Sequence, residues 1–120
     1  MSESIVRYTE IHDWRFLGCE VDSNTCLLRM ANPTNTGSGM LNLTGVQSIL
    51  LEVWGRQAIV SALEEYRVNE GNLDRALDHF SKDAGILLRP IAIGKKLLTI
   101  DFHVGMSVIC LCQDFTFQRQ

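Results

Sequence analysis

The sequence predicts an α+β fold, mostly antiparallel β-sheet with one or two helices packed on it. Three observations support this: apolar stretches bounded by turn residues near the N-terminus, a period-two alternation near the C-terminus, and one amphipathic segment between them. A chain of 120 residues can bury a core as a single domain, residues 1–120, and it contains no internal repeat.

The first predicted unit is a β-hairpin. The segments WRFLGCEV and CLLRM are apolar, and the residues DSN between them are typical of a turn. Pairing Cys19 with Cys26 would place Leu17 opposite Leu28, and both faces of this hairpin would be apolar. We therefore expect cover on both sides, at least over part of the hairpin, and a third strand, GMLNLT, after the polar loop 31–39.

Residues 46–68 fit two different periods. The first part has the spacing of an amphipathic helix, which Gly55 would end, through Val46, Ile49, Leu50, Val53 and Trp54. The second part can be read as a helix or as a strand. We predict a strand there, on the alternation of Ala58, Val60, Ala62, Tyr66 and Val68.

The clearest predicted helix covers residues 72–84. Asn72 suits its N-cap, and Gly85 suits the left-handed residue that follows a helix. Asp78 and Lys82 would pair at i, i+4 on the exposed side. The apolar stripe consists of Leu73, Ala76, Leu77, Phe80 and Ala84.

The C-terminal third predicts a second hairpin. Apolar residues alternate with polar ones from Leu98 to His103, and a turn at Val104–Gly105 would return the chain. The expected register places Ile100 opposite Ile109 and Leu98 opposite Leu111. In that register a more polar face would carry Thr99, Asp101, Cys110 and Cys112.

Composition narrows the class of function. The formal net charge of −3 and the absence of any basic cluster argue against nucleic-acid binding. No apolar run approaches the roughly 20 residues that cross a bilayer, and the first ten residues lack a secretory signal. We therefore expect a cytoplasmic protein with four reduced cysteines and no membrane partner.

The adjacent pair His12–Asp13 raises the question of a metal-dependent catalytic dyad. Metal phosphohydrolases with such a pair need a further histidine upstream, and His12 is the first histidine of the chain. A turn before a buried strand explains the pair more simply, because aspartate side chains accept backbone N–H groups in turns. The sequence thus predicts no metal, no cofactor and no catalytic residue, hence no enzyme.

Acidic residues are concentrated between Glu64 and Asp83. Six acidic and three basic side chains lie there, and this excess of three negative charges equals that of the whole chain. Such a surface would steer a basic protein partner and speed its encounter. The predicted contact residues are Asp13, Glu64, Glu65, Glu70, Asp74 and Asp78.

The order IHDWRF, GCEVD, CLLRM, LNLTGV and WGRQAIVSA resembles small bacterial immunity proteins of polymorphic-toxin or contact-dependent systems. The resemblance covers residues 11–67 and, less closely, the hairpin of residues 97–112. It implies a non-catalytic binder that occupies or blocks a toxin domain.

Two alternatives remain open at this stage. One is a small enzyme or a ligand- or metal-binding domain that uses a face with Asp101, His103, Cys110 and Cys112. The other is a structural subunit that forms homo-oligomers, for instance a homodimer, through a sheet edge.

Overall fold

A computed structural model describes residues 6–8, 11–33, 37–52, 58–103 and 107–119, with the backbone alone for residues 6 and 7. The strands in these ranges are β1 Val6–Tyr8, β2 Arg15–Asp22, β3 Thr25–Ala31, β4 Ser38–Thr44, β5 Ser48–Glu52, β6 Val60–Arg67, β7 Lys96–Phe102, β8 Ser107–Cys112 and β9 Asp114–Arg119. The helices are α1 Leu73–Leu77 and α2 Lys82–Ala92. The predicted α+β class is confirmed.

The strands form two antiparallel sheets. The five-stranded sheet has the order β1-β6-β7-β8-β5, and the four-stranded sheet has the order β2-β3-β4-β9. The inner face of the five-stranded sheet packs against the four-stranded sheet, and its outer face carries both helices. Among the described residues this gives three layers, with the five-stranded sheet between the helices and the four-stranded sheet.

The inner core lies between the two sheets. Alternate residues of β7 enter it, namely Leu98, Ile100 and Phe102, since side chains alternate across a strand. The four-stranded sheet contributes Cys26, Leu28, Met30, Leu41 and Leu43. Leu97, between the inward positions of β7, packs under the helices instead.

The first hairpin forms, but the predicted register is wrong by two residues. Cys26 pairs with Val21, and Cys19 pairs with Leu28. The cause is a tighter turn: Asp22 already pairs with Thr25, so only two residues connect the strands. The first of them has a φ of 50°, in the left-handed region that such short hairpin turns require.

Cover of this hairpin on both sides was also predicted, at least over part of it, and two residues lack this cover. A register shift between Phe16 and Gly18 bulges β2 outward. Leu17 beside the bulge and Val21 near the turn are both exposed. The outer face of the four-stranded sheet therefore has no second layer at these positions.

The helix predicted from Val46 is wrong, because β5 occupies part of that stretch. β5 pairs with β8, with Ile49 opposite Cys110. A short apolar run fits either period, and the hydrogen bonds offered by the edge of β8 decide for a strand. Val53, Trp54 and Gly55, which completed the predicted helix, lie outside the described residues.

The strand predicted for the following segment is confirmed as β6. A register shift between Val60 and Ala62 interrupts the simple alternation. Beyond the shift, Leu63 enters the inner core, whereas Tyr66 packs under the helices.

The C-terminal hairpin forms with a register one residue away from the predicted one. Leu98 pairs with Cys110, and Ile100 pairs with Val108. A shift of one residue moves every side chain to the other face, so Cys110 and Cys112 lie in the inner core. The predicted turn at Val104–Gly105 lies outside the described residues.

The helix predicted for residues 72–84 is two helices. The helical conformation is interrupted between α1 and α2, and Ser81 precedes the new helix. Its side-chain oxygen accepts a hydrogen bond from the Ala84 N–H at 3.2 Å and so caps α2. Gly85 lies inside α2 and does not end a helix, contrary to the prediction. Asp78 and Lys82 lie on either side of the break, so the predicted pairing along one helix does not apply.

Asn72 stands at the predicted start of α1 without capping it. Its side-chain oxygen accepts from the Asn69 N–H at 2.8 Å, and its amide donates to the Arg67 carbonyl at 3.1 Å. The buried amide therefore fixes the turn that leads from β6 into the helices.

Candidate functional site

Three polar side chains meet where the loop before β2 passes the end of β7. His103 Nε2 lies 3.0 Å from Asp13 Oδ1, and His12 Nδ1 lies 3.3 Å from Asp13 Oδ2. The two imidazole rings stand edge to face, with centroids 5.8 Å apart. We call His12, Asp13 and His103 the histidine–aspartate cluster; all three are exposed.

Backbone hydrogen bonds with residues 59 and 60 hold both chain segments that carry this cluster. The Asp13 N–H donates to the Val60 carbonyl at 2.8 Å, and the Val60 N–H donates to the Trp14 carbonyl at 2.8 Å. The His103 N–H donates to the Ile59 carbonyl at 2.9 Å. The two chain segments that carry the cluster are thus fixed to adjacent residues, Ile59 and Val60, at the start of β6.

The loop that carries His12 and Asp13 is anchored at both ends by apolar burial. Ile11 and Trp14 are buried in the inner core, and the Trp14 N–H closes the turn on the Ile11 carbonyl at 3.0 Å. Asp13 has a φ of 69°, a left-handed conformation that aspartate tolerates better than most residues. Burial of the flanking residues directs the two polar side chains outward.

The donor set of the cluster suits a divalent transition metal. Its two imidazole nitrogens and one carboxylate oxygen lie within 4.8 Å of one another. Among the His, Cys, Asp and Glu side chains that the structure describes, no other group of three or more lies close enough together to share one ion. The sequence singled out His103 as a candidate residue, but its contact with Asp13 was not predicted, because the two lie 90 residues apart.

The alternative site with Asp101, His103, Cys110 and Cys112 on one face is wrong. Both cysteines are buried in the inner core, whereas Asp101 is exposed and lines a groove on the outer face. His103 lies past the end of β7 beside Asp13. The one-residue difference in register separates the four side chains.

Two of the three buried thiols, Cys26 and Cys110, are not prepared for nucleophilic chemistry; the hydrogen bond from Cys110 lowers the pKa of the third, Cys112. All four cysteines are free thiols. Burial, with a smaller effect of Cys19, raises the pKa of Cys26 to about 11. A hydrogen bond with Cys112 and burial raise the pKa of Cys110. Both thiols therefore stay protonated at neutral pH, and a thiolate is the form that reacts.

Glu65, one of the predicted contact residues, is buried. The Tyr8 hydroxyl donates to its Oε1 at 2.8 Å, and Lys96 Nζ lies 3.8 Å from its Oε2. Lys96 also donates to Asp114 at 2.9 Å, which raises the pKa of Lys96 and lowers that of Asp114. Glu65 is thus part of a polar group at the edge of the inner core and is not available to a partner.

The other predicted contact residues lie in different places. Glu64 lines a groove of about 270 Å³ between α1 and the outer face of the five-stranded sheet. Asp74 is exposed on α1 and accepts from Arg89 of α2 at 2.6 Å. Glu70 is exposed in the turn before α1, and Asp13 belongs to the histidine–aspartate cluster.

Asp78 lies on the edge of a second groove, of about 400 Å³, between α1 and α2. Phe80, Gly85 and Ile86 supply the apolar lining of this groove. Lys82 and Arg89 supply further charges beside Asp78. An acidic side chain therefore borders an apolar surface.

That apolar surface continues along the outer side of α2. The exposed fractions are 64% for Ile86, 75% for Leu87, 43% for Ile91 and 50% for Ile93. Together with exposed Pro90, these residues form what we call the α2 apolar patch. Leu88 and Ala92, on the opposite side of the helix, are buried against the sheet.

Sequence analysis missed the α2 apolar patch, although a signal was present. The stretch GILLRPIAIG has more apolar positions than one buried helix face needs. Exposed aliphatic clusters of this kind on a monomer mark interaction surfaces. None of the described helices is long and apolar enough to span a bilayer.

Comparison of the chain with known protein families, with curated proteins and with solved structures finds no match.

Proposed function

We propose that this chain is a non-catalytic protein-binding domain of the cytoplasm, and specifically an immunity protein that neutralises a toxin domain by direct binding. The α2 apolar patch is the observation that carries the proposal. The resemblance of residues 11–67 to immunity proteins supports the toxin as partner.

Burial of the α2 apolar patch would supply the affinity. Leu87 and Ile91 are neighbours at i, i+4, and Ile86 and Pro90 have the same spacing, so their exposed surfaces are contiguous along the helix. Covering this surface removes apolar area from water, at about 25 cal/mol per Å². A complementary partner presents an apolar pocket to α2.

Charged side chains around the α2 apolar patch indicate which charges the partner carries around its apolar pocket. Asp78 borders the apolar groove beside Ile86, and Glu70 and Asp83 are exposed on the same helical layer, where Asp74 is paired with Arg89. A toxin domain with lysine or arginine side chains around its pocket complements these carboxylates. The same negative charges repel the phosphates of a nucleic acid.

The test needs a toxin domain, to be sought in the reading frame immediately upstream in the genome, and two matched variants; a toxin-like domain encoded there would itself support the proposal. Leu87→Asp puts a charge into the α2 apolar patch, and Val21→Asp puts the same charge on β2, where Val21 is 63% exposed. By calorimetry, Leu87→Asp should weaken binding at least about thirtyfold, as loss of a central contact does, and Val21→Asp should leave it unchanged. In cells, only Val21→Asp should still protect against the toxin.

A second pair of variants in the same experiment tests the charges. Asp78→Lys should slow association and flatten its salt dependence, because it removes a carboxylate beside the binding surface. Asp22→Lys makes the same change of net charge in the four-stranded sheet and should have little effect. Equal effects of the two members of either pair would refute this surface as the binding site.

Self-association through the same patch is the competing outcome, and it corresponds to a homodimeric structural subunit. Light scattering decides between them. A dimer that Leu87→Asp converts to monomer would replace the toxin by a second copy of the chain as the occupant of α2.

A further inference from the structure

We propose that His12, Asp13 and His103 bind a divalent transition-metal ion, with Zn²⁺ as the best match to their donor atoms. This site is separate from the α2 apolar patch and does not depend on the function proposed above. It also revises the expectation from sequence that the chain has no metal ligand.

The donor atoms already have spacings close to those of a metal site. Zinc binds imidazole nitrogen at about 2.0–2.1 Å and carboxylate oxygen at about 2.0–2.2 Å, so neighbouring ligands of a tetrahedral ion lie about 3.3 Å apart. The two nitrogen–oxygen separations in the cluster are 3.0 and 3.3 Å. They involve different oxygens of Asp13, and the three ligand atoms with a single Asp13 oxygen lie within 4.8 Å of one another, so the side chains rotate closer when they share an ion.

Binding replaces the hydrogen bonds of the empty cluster. Each imidazole turns a nitrogen lone pair toward the ion, so the ring proton resides on Nδ1 of His103 and on Nε2 of His12. Both rings are exposed, so these N–H groups can donate hydrogen bonds to water. The Asp13 carboxylate binds through one oxygen, and its charge offsets part of the charge of the ion.

The backbone holds the ligands in place before an ion arrives. Asp13 and His103 are tied to Val60 and Ile59, and the buried Trp14 fixes the loop from the other side. Ligands held in this way lose little conformational entropy on binding, which favours association. Three exposed side chains on unrelated mobile loops would lack this advantage.

The cluster leaves part of the coordination shell open. Three protein ligands with a fourth position for water is the pattern of zinc sites that exchange a ligand. Asp13 also lines a cavity of about 260 Å³ with Arg15 and Pro33, which provides space beside the carboxylate. A small anion near Arg15 could occupy the open position in place of water.

The chain contains its own control, because it has three histidines and only two lie in the cluster. His79 is exposed beside the groove between α1 and the sheet. The experiment titrates Zn²⁺ into the tag-free full chain and into the variants His103→Ala, His12→Ala and His79→Ala. Circular dichroism verifies that each variant is folded.

The wild type and His79→Ala should bind one Zn²⁺ per chain with equal affinity. His103→Ala and His12→Ala should each weaken binding at least about tenfold, since even loss of a residue that only orients a ligand costs that much. With Co²⁺ in place of zinc, the absorption spectrum should lack a thiolate charge-transfer band. Asp13→Asn should weaken binding of both ions.

Two results would overturn the proposal. One is the absence of stoichiometric Zn²⁺ binding to the wild type, which would leave the cluster as a hydrogen-bonded turn. The other is unchanged affinity in both cluster variants, or a thiolate band with Co²⁺, which would place the ion elsewhere. Neither result bears on toxin binding, because the titration involves no partner.

Discussion

The two faces of the five-stranded sheet differ in how completely they are covered. The inner face meets a whole second sheet, and its residues on β7 and β8 are fully buried. The outer face meets two short helices that leave a groove over the sheet and an exposed apolar strip on α2. Buried apolar contacts are thus concentrated on the inner face, and exposed apolar surface is concentrated on the outer one.

β7 shows this difference within one strand. Ile100 points into the inner core, among buried apolar side chains of both sheets. Thr99, next to it, points outward and lines the groove that contains Glu64. Because side chains alternate across a strand, a substitution on β7 affects either the inner core or the groove, depending on the face to which that position points.

The largest effect should follow from a truncation on the inner face. Ile100→Ala removes a fully buried side chain from the contact between the sheets, and we expect it to lower the free energy of unfolding by about 2–5 kcal/mol. Leu87→Ala on the exposed side of α2 should change it by less than about 0.5 kcal/mol. Urea denaturation compares the two, and similar losses would contradict the assignment of stability to the inner face.

A smaller effect should follow at the open edge of the inner core. Lys96→Met leaves the buried carboxylate of Glu65 without its cation and removes the partner of Asp114. Because Glu65 keeps its hydrogen bond from Tyr8, we expect a loss of about 1–2 kcal/mol, as for one hydrogen bond to a charged group. Phe115, whose ring lies under the Lys96 ammonium, supplies contacts that Met retains.

The contacts of Lys96 with Glu65 and Asp114 predict a pH dependence of the free energy of unfolding, which the Lys96→Met variant should lack. The hydrogen bond from Lys96 lowers the pKa of Asp114, so its stabilising contribution is present above the ordinary aspartate pKa and is lost as pH falls through the lower folded value. The pKa of Lys96 is raised, so its contribution disappears only as pH rises through the folded value, above the ordinary lysine range. Unfolding midpoints of wild type and Lys96→Met should therefore converge at both extremes of pH, and a constant difference would refute this role.

The smallest of these effects should come from the helical layer. Ser81→Ala removes the side-chain cap of α2 and should lower the free energy of unfolding by about 0.5–2 kcal/mol. Ser81→Gly should lower the free energy of unfolding by only a few tenths of a kcal/mol. Hydrogen exchange should quicken in the first turn of α2 and remain unchanged in β7, because the helix contributes little to the inner core.

Part of the fold was predictable because it depends on near neighbours in the chain. Alternation along β6 and β7 identified both strands, and apolar spacing located the start of the helical region at Leu73. The break before α2 was not recognised, since Ser81 and Gly85 each suit more than one position in a helix. The short apolar run of β5 fits two periods, and only the edge of β8 resolves it.

The candidate sites were less predictable than the fold. The acidic residues were identified, but burial of Glu65 depends on packing with Tyr8 and Lys96, far away in the sequence. The α2 apolar patch left a compositional signal that periodicity alone could not assign to an exposed face. The sequence indicates which residues are polar, and packing decides which of them meet.

By itself, the sequence determined the α+β class, the hairpins and the polar character of His12 and Asp13, because hydrophobic period and turn chemistry act over a few residues. The tertiary structure decided the register of both hairpins, and with it the burial of Cys110 and Cys112. It also brought His103 to Asp13 across 90 residues. A register one residue away satisfies the same local preferences, and only the packing of two sheets against each other distinguishes the alternatives.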